Sequence, residues 1–130
     1  MEADITREIQ RFPIDPSRPL YEQFVERIRA AIARGHLEPG ARLPSVRELA
    51  AAIRVNPTTI QRTYQELERE RLIVSYRGQG TFVTRDAGAI EASRRALARE
   101  AVARLRETAK SLGLTVQQLI DLARIEEEDG

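Results

Sequence analysis

The sequence has no cysteine, no tryptophan and a single histidine, His36. The absence of cysteine excludes disulfides, thiol catalysis and cysteine-ligated metal centres, and it favours a reducing compartment, the cytoplasm. One histidine leaves little scope for other metal or acid–base chemistry. We therefore expect no catalytic site, no metal site and no cofactor, which makes an enzyme the weakest functional class.

Long apolar runs and a basic leader are also missing. No stretch of about 18 apolar residues could span a membrane, and the first residues, Met1 to Asp4, are too acidic for a secretory signal. A length of 130 residues allows one ordinary domain or a small domain with an appendage. The composition, 42% hydrophobic and 32% charged, predicts a modest and mainly helical core with no membrane partner.

The formal net charge of +1 conceals an uneven distribution. Residues 17–85 carry twelve arginines and seven glutamates, a net charge of +5, whereas residues 1–16 and residues 86–130 each carry −2. Arginine suits bidentate contacts with phosphate and with guanine. The basic part of the chain is therefore its centre.

The pattern of prolines and glycines divides the chain into three parts. Residues 1–16 hold two prolines and little periodicity, and we interpret them as an N-terminal arm with a short strand near residues 12–14. Residues 17–85 begin with a helix that has apolar residues at helical spacing and stops at Gly35. Residues 86–130 follow a linker-like break.

Two signals within residues 45–57 predict a helix-turn-helix. Ser45-Val46-Arg47-Glu48 has the spacing of a capping box, in which a serine hydroxyl and a glutamate carboxylate bond each other's free backbone amides. Asn56-Pro57 favours the start of a second helix, since asparagine caps well and proline fits the first helical position. The pattern predicts a short helix to about Ile53 and a second one to about Glu70.

The second of these helices has two different sides. Ile60, Tyr64 and Leu67 form its apolar stripe, and the opposite side presents Thr58, Arg62 and Gln65 with Gln61 on its flank. This polar side contains no acidic residue. Because glutamine can bind adenine and arginine can bind guanine through paired hydrogen bonds, we interpret Gln61 and Arg62 as base-reading residues.

The remaining residues predict a hairpin and two helices. Residues 72–76 and 81–84 are rich in strand-forming side chains, and the loop Arg77-Gly78-Gln79-Gly80 supplies turn glycines, so we interpret the segment as a β-hairpin wing. A long helix over about residues 89–112 and a last helix from Thr115 carry apolar stripes. Two such helices cannot fully bury these stripes against each other, which predicts a homodimer. The candidate dimerisation residues are Ile90, Leu97, Ala101, Leu105, Leu112, Val116, Leu119, Ile120 and Ala123.

The predicted fold is mainly α with a small β wing. It comprises an arm over residues 1–16, a winged helix-turn-helix domain over residues 17–85 and a two-helix dimerisation segment over residues 86–130. A capped short helix, a tight turn and a second helix with a polar outer side are typical of DNA-binding helix-turn-helix proteins.

Four motifs of the central part resemble those of a known family. They are Leu43-Pro44-Ser45-Val46-Arg47-Glu48-Leu49-Ala50, Val55-Asn56-Pro57-Thr58-Thr59-Ile60, Gln65-Glu66-Leu67-Glu68 and Gly78-Gln79-Gly80-Thr81-Phe82-Val83. Their order and spacing resemble the GntR family of bacterial transcription regulators. Because only residues 86–130 follow the wing, the chain is similar to the YtrA branch, whose members are dimeric repressors, often of operons for ATP-binding-cassette transporters.

The resemblance implies a dimeric repressor that binds double-stranded DNA at a pseudo-palindromic operator. It implies DNA contacts at Arg47, in the first turns of the second helix and in the wing loop. Where other branches place two arginines in that helix, this chain has Pro57 and Gln61, and we expect Arg62 to supply the guanidinium instead. The candidate DNA-binding residues are Ser45, Arg47, Asn56, Thr58, Thr59, Gln61, Arg62, Gln65, Arg77, Gly78, Gly80 and Thr81.

Two other functions stay open at this point. A winged-helix module that binds protein rather than DNA would show no salt-dependent affinity for DNA. A regulator gated by a small metabolite at the dimer seam would lose operator binding when that metabolite is present. No residue pattern identifies such an effector.

Overall fold

A computed structural model describes the backbone of residues 4–11 and 13–129 and, within these ranges, the side chains up to Ile125. The described residues are mainly helical and include a three-stranded antiparallel sheet, which confirms the predicted fold class. The described residues up to Arg94 form one compact unit, and those from Arg95 onward form a second. The elements are α1 (Ile5–Gln10), α2 (Leu20–Ala33), β1 (Arg42–Leu43), α3 (Val46–Ile53), α4 (Pro57–Arg69), β2 (Ile73–Tyr76), β3 (Gly80–Val83), α5 (Ala87–Ser111) and α6 (Val116–Asp129).

The first helix, α1, is the largest departure from the sequence prediction. The segment predicted as an arm contains a helix whose Ile5 and Ile9 are buried in the core. The Asp4 carboxylate caps it by accepting a hydrogen bond from the backbone amide of Arg7 at 3.2 Å. A helix of six residues has too little intrinsic stability to form alone, so packing against α2 and α3 stabilises it.

Side chains from α2 and from the turn after it hold α1 in place. Glu8 is buried, and its carboxylate oxygens lie 2.5 Å from Nη2 of Arg34 and 3.1 Å from Nδ1 of His36. The Arg27 guanidinium donates a hydrogen bond to the carbonyl oxygen of Ile9 near the end of α1. The N-terminal segment is therefore an integral part of the first unit.

The prediction of a short strand near residues 12–14 is wrong for the two of these residues that the structure describes. Pro13 and Ile14 lie in neither a strand nor a helix, and Phe12 lies outside the described residues. Proline has no amide hydrogen to donate to a neighbouring strand. The chain instead turns at Asp15, whose carboxylate accepts a hydrogen bond from the backbone amide of Ser17 at 2.9 Å.

The core of the first unit lies between α1, α2, α3, α4 and the sheet. Helix α2 begins after Pro19, and Gly35 ends it with a φ of +82°, a conformation that glycine adopts without steric cost. Apolar residues at helical spacing make one side of α2 buried, as predicted. The side chains with 2% exposure or less include Phe24, Ile28, Ile32, Leu37, Leu43, Leu49, Ile60, Leu67, Leu72, Ile73 and Val83.

The sheet has the strand order β1-β3-β2, so the wing hairpin is extended by a strand that precedes the helix-turn-helix. Ile73 pairs with Val83, and Leu43 pairs with Thr81. Ile73, Val83 and Leu43 are buried, which fixes the base of the wing to the helical core. The register is strongly specified because a shift by one residue would expose these apolar side chains.

The two C-terminal helices begin with clear capping interactions. The Asp86 carboxylate accepts hydrogen bonds from the amides of Gly88 and Ala89 at 2.9 and 3.2 Å, so the predicted break is the start of α5. Before α6, Thr115 and Gln118 bond each other's backbone amides at 2.8 and 3.1 Å. Both helices are thus encoded locally, as their periodicity predicts.

We expect Ile5→Ala to lower the free energy of unfolding by about 2 to 5 kcal/mol, because it removes a side chain that is 1% exposed. Urea unfolding followed by circular dichroism measures the change. Gln10→Ala is the matched control, since Gln10 is exposed on the same helix. An equal effect of the two substitutions would mean that α1 does not belong to the core.

Candidate nucleic-acid interface

The start of α3 is fixed by the predicted capping box. The Glu48 amide donates to Oγ of Ser45 at 3.1 Å, and the Ser45 amide donates to the Glu48 carboxylate at 3.2 Å. Hydrogen bonds to the carboxylate from the side chain and then the backbone amide of Ser45 hold the pKa of Glu48 below its ordinary value, with a smaller contribution from the positive charge of Arg42. Arg47 lies in the same turn and is exposed. The box thus defines the direction in which α3 presents Arg47.

The turn between α3 and α4 sets the start of the second helix. Arg54 has a left-handed backbone with a φ of +57°, and its amide donates to the carbonyl oxygen of Ala50. The Asn56 side chain then accepts a hydrogen bond from the Thr58 amide at 2.8 Å, with Pro57 at the first helical position. Both predicted helix starts are therefore confirmed.

Helix α4 has one buried and one exposed side. Ile60, Thr63, Tyr64 and Leu67 are buried, and the Tyr64 hydroxyl donates to the carbonyl oxygen of Pro44, which joins α4 to the segment before α3. The opposite side exposes Thr58, Gln61 and Gln65, while Thr59 is half-buried. The first turn of α4 contains no acidic residue. The structure thus brings these candidate residues together on one polar surface.

Arg62 stands at the edge of this surface and contacts another helix. Its guanidinium carbon lies 3.8 Å from the centre of the Tyr21 ring, a cation–π contact with α2. Arg62 is nevertheless exposed. Stacking uses the flat face of a guanidinium and leaves N–H groups at its edge able to donate. The sequence does not reveal this contact, because Tyr21 lies far from Arg62 in the chain.

The carboxylates of α4, Glu66 and Glu68, lie toward its C-terminal end, and Glu70 follows the helix directly. The Arg69 guanidinium donates to Glu66, and this hydrogen bond is the main reason why the pKa of Glu66 lies below its ordinary value. Glu70 pairs with Arg29 of α2 at 2.8 Å. These ion pairs offset negative charge at the C-terminal end of α4.

The wing loop is exposed at Arg77 and Gly78. Gly78 and Gly80 have φ values of +80° and +121°, so the predicted structural role of both glycines is confirmed. Oγ1 of Thr81 lies 3.2 Å from Oγ of Ser75 on the facing strand. Thr81 is therefore engaged within the hairpin, and Arg77 is the cation at its tip.

Arg42 is a candidate that sequence reasoning missed. It is exposed on β1, and its Nε would lie 3.2 Å from a Cβ atom placed on Gly80. Its charge also contributes to the low pKa of Glu48, so it lies between the start of α3 and the wing. The sequence signal that could have identified Arg42 is its position directly before the Leu43-Pro44 motif. The pairing of β1 with β3, which brings it to the wing, is a tertiary contact.

The candidate dimerisation residues differ in their surroundings. Ile90 packs against the core of the first unit. Leu97, Leu105, Val116 and Leu119 are half-buried, and Ala101, Leu112, Ile120 and Ala123 are exposed. Three further apolar residues of these helices are exposed, Val102, Leu122 and Ile125. They fall outside the narrow stripe on which the prediction was based.

Comparison with known proteins identifies the family. The model for bacterial regulatory proteins of the gntR family matches residues 20–83. The HTH-type transcriptional regulator YhcF of Bacillus subtilis is 41% identical over 105 residues, which cover 81% of this chain and 87% of YhcF. The chain belongs to the GntR family. Its relatives in this family are transcription regulators and not enzymes, and the matched residues, from the start of α2 to the end of β3, correspond to the family's DNA-binding domain.

Two further similarities agree with this membership. The HTH-type transcriptional repressor YtrA of Bacillus subtilis is 46% identical over 76 residues, which cover 57% of this chain and 58% of YtrA. A GntR family transcriptional regulator from Listeria monocytogenes has a TM-score of 0.79 and 38% identity, covering 85% of this chain and 97% of that chain. Because the similarity to the Listeria protein covers 85% of this chain, it includes residues beyond the winged helix-turn-helix.

The described residues contain no cluster of three or more histidine, cysteine, aspartate or glutamate side chains placed to hold a metal ion. No helix within the described ranges combines the length and the apolar character needed to cross a membrane.

We expect Glu48→Gln to remove a pH-dependent part of the stability. Because the pKa of Glu48 is lowered in the folded chain, its stabilising effect is present above the ordinary pKa of about 4.3 and disappears as the pH falls through the lowered value. Thermal unfolding between about pH 3 and 7 should show wild type and variant diverging as the pH rises. Glu38→Gln, at an exposed position in the turn before β1, is the control. A constant difference across the range would contradict the expectation.

Proposed function

We propose that the chain is a dimeric repressor that binds a pseudo-palindromic operator with α4 in the major groove. The observation that carries the proposal is the exposed polar side of α4, which is free of acidic residues in its first turn and lies opposite a fully packed side. A rigid helix of about 10 to 12 Å diameter fits the major groove of B-form DNA. Membership of the GntR family supports this arrangement.

The candidate residues divide by the chemistry of their contacts. Gln61, Gln65 and Thr58 present amides and a hydroxyl for base edges, and Arg62 adds a guanidinium fork for guanine. The remaining candidates position the protein on the backbone: Ser45, Arg47, Asn56, Thr59, Arg77, Gly78, Gly80 and Thr81.

A second copy of the chain is the partner that we propose for the C-terminal helices. From Ile120 to Ile125 every residue of α6 is exposed, although Ile120, Leu122 and Ile125 are 38%, 54% and 56% exposed and apolar. A helix with so much uncovered apolar surface requires a further packing surface. Ile90 is left out of this interface because its side chain packs on its own core.

A dimer explains how the chain would reach a palindromic site. Two copies of α4 related by a twofold axis enter successive major grooves about 34 Å apart, and occupation of the promoter then causes repression. Such a protein acts where the bacterial chromosome lies, in the cytoplasm. We extend the proposal to an operon for a transporter, which rests on the resemblance to the YtrA branch. We assign no effector.

Selection from a pool of random duplexes at two salt concentrations tests the proposed function. We expect enrichment of an inverted repeat whose half-sites are about one helical turn apart. Retention without a common motif would mean nonspecific binding led by phosphate contacts. No retention at either salt concentration would favour a protein-binding module or a regulator that requires a metabolite.

We expect Arg62→Ala and Arg77→Ala to weaken binding in different ways. Loss of Arg62 should relax base preference at one position by about 1 to 3 kcal/mol, whereas loss of Arg77 should weaken all sequences alike and lower the salt dependence. Fluorescence anisotropy on the selected operator and on random duplex measures both effects. An equal loss on the two duplexes for Arg62→Ala would contradict base reading.

The contact between Arg62 and Tyr21 provides a matched pair of variants. Tyr21→Phe keeps an aromatic ring beneath the guanidinium, and Tyr21→Leu removes it. If stacking orients Arg62 for guanine, only Tyr21→Leu should relax the preference that Arg62→Ala relaxes. The same selectivity in Tyr21→Leu and wild type would show that the stack plays no part.

We expect the double variant Ile120→Gln and Leu122→Gln to be monomeric. Burying two glutamines in place of two apolar side chains removes hydrophobic driving force from the interface. Sedimentation equilibrium should give about twice the chain mass of 14.7 kDa for wild type and about that mass for the variant. Asp121→Asn alters an exposed residue about 150° around the axis from the apolar stripe of the same helix and is the control. A dimeric double variant would place the interface elsewhere.

A further inference from the structure

The long helix α5 carries a row of cations that the operator contacts do not use. Arg99, Arg106 and Lys110 are all exposed. At about 100° per residue they fall within about 40° of one another around the helix axis, and they extend over about 16 Å along it. These three residues are named the α5 basic stripe.

The α5 basic stripe is not neutralised by carboxylates of its own helix. Glu100 lies about 80 to 120° from the three cations around the axis, and Glu107 lies one turn before Lys110 without forming an ion pair with it. No carboxylate among the described residues forms an ion pair with the three cations. Arg106 and Lys110 stand one turn apart, a spacing at which like charges destabilise a helix. The stripe therefore has an unfavourable internal charge arrangement that a bound polyanion would relieve.

The proposed dimer leaves the α5 basic stripe accessible. The apolar residues Leu97, Ala101 and Leu105 are centred about 160° away from it around the axis of α5. A second copy that packs on those residues would cover the opposite side of the helix. The basic stripe can thus bind a further partner while the dimer is intact.

We propose that the α5 basic stripe binds the sugar-phosphate backbone of double-stranded DNA. This inference rests on the proposed function, since it adds a sequence-independent contact to the sequence-specific one. The length of the stripe corresponds to about five base pairs at 3.4 Å each, so several phosphates of one strand are within its span. Arginine and lysine bind phosphate through charge-assisted hydrogen bonds.

An anionic membrane surface fits the α5 basic stripe less well. Helices that lie on membranes place large apolar side chains beside their basic residues. Here the neighbours on the helix surface are Val102 and Ala103, of which only Val102 is sizeable. Duplex DNA needs no such apolar border.

A pair of double variants of the full-length chain tests the proposal. Arg99→Gln with Arg106→Gln removes two charges from the stripe, and Arg94→Gln with Arg104→Gln removes two charges from the opposite side of the same helix. Because the latter two arginines lie beside the proposed dimer residues of α5, sedimentation equilibrium first checks that both double variants are as dimeric as wild type. Affinity is measured as a function of salt concentration on two duplexes. One contains the selected operator alone, and the other extends it by roughly 20 base pairs, about two helical turns, on each side.

On the extended duplex, the stripe variant should lower the slope of log affinity against log salt by about 0.9 for each phosphate that it no longer neutralises. On the trimmed operator the change in slope should be smaller, because fewer phosphates are available outside the half-sites. The control variant should match wild type on both. Because all four positions are exposed, equal melting temperatures will show that the fold is intact.

Equal slopes for the stripe variant and wild type on the extended duplex would overturn the proposal. An equal reduction by the control variant would also overturn it, since the effect would then be one of net charge. Reduced binding to phosphatidylserine vesicles with unchanged DNA slopes would assign the stripe to membranes instead. If selection finds no operator, the same slopes on random duplex still test the stripe, so the two proposals can fail separately.

Discussion

The packing of α4 against α2 and α3 is the contact on which the rest of the first unit depends. Ile60 and Leu67 are fully buried, and complete burial of such side chains contributes about 1.5 to 3 kcal/mol each. The Thr63 hydroxyl donates to the carbonyl oxygen of Thr59 within the helix, so its burial leaves no unpaired polar group. With this side of α4 fixed, its polar side has a single orientation.

Hydrogen bonds at the starts of α3 and α4 stabilise these helices in addition to the packing of their apolar sides. Ser45 and Asn56 satisfy free amides of α3 and α4, and the left-handed backbone at Arg54 lets the chain reverse between them. These short elements lack the length to be stable alone. Caps and burial together place Arg47 and the polar side of α4 on elements that cannot easily shift relative to each other.

The arginines of the first unit fall into two groups, those that form ion pairs between elements and those that are exposed without a core contact. Arg29 and Arg34 pair with Glu70 and Glu8 and link elements of the first unit. Arg77 projects from the wing, where no core contact requires a charge. Arginines of the first kind stabilise the fold, and those of the second kind are available to phosphates. The basic composition of the central segment therefore overstates the charge that is free for DNA.

Much of the fold could be predicted from the sequence because its signals are local. The capping box at Ser45, the Asn56-Pro57 helix start, the periodicity of α2 and the turn glycines of the wing each act within a few residues. The polar side of α4 followed from the same periodicity. Such signals determine which segments become helix or strand and which side of each is polar.

Tertiary contacts decided the rest. Helix α1 forms because Ile5 and Ile9 enter a core built by distant residues, and Glu8 meets Arg34 only after α2 has turned the chain back. The pairing of β1 with β3 brings Arg42 to Gly80, and the packing of α2 on α4 brings Tyr21 to Arg62. The sequence by itself determined the elements and their polar sides, since these depend on neighbouring residues. Only the folded chain decided which distant side chains meet, because those contacts exist only once the elements have packed.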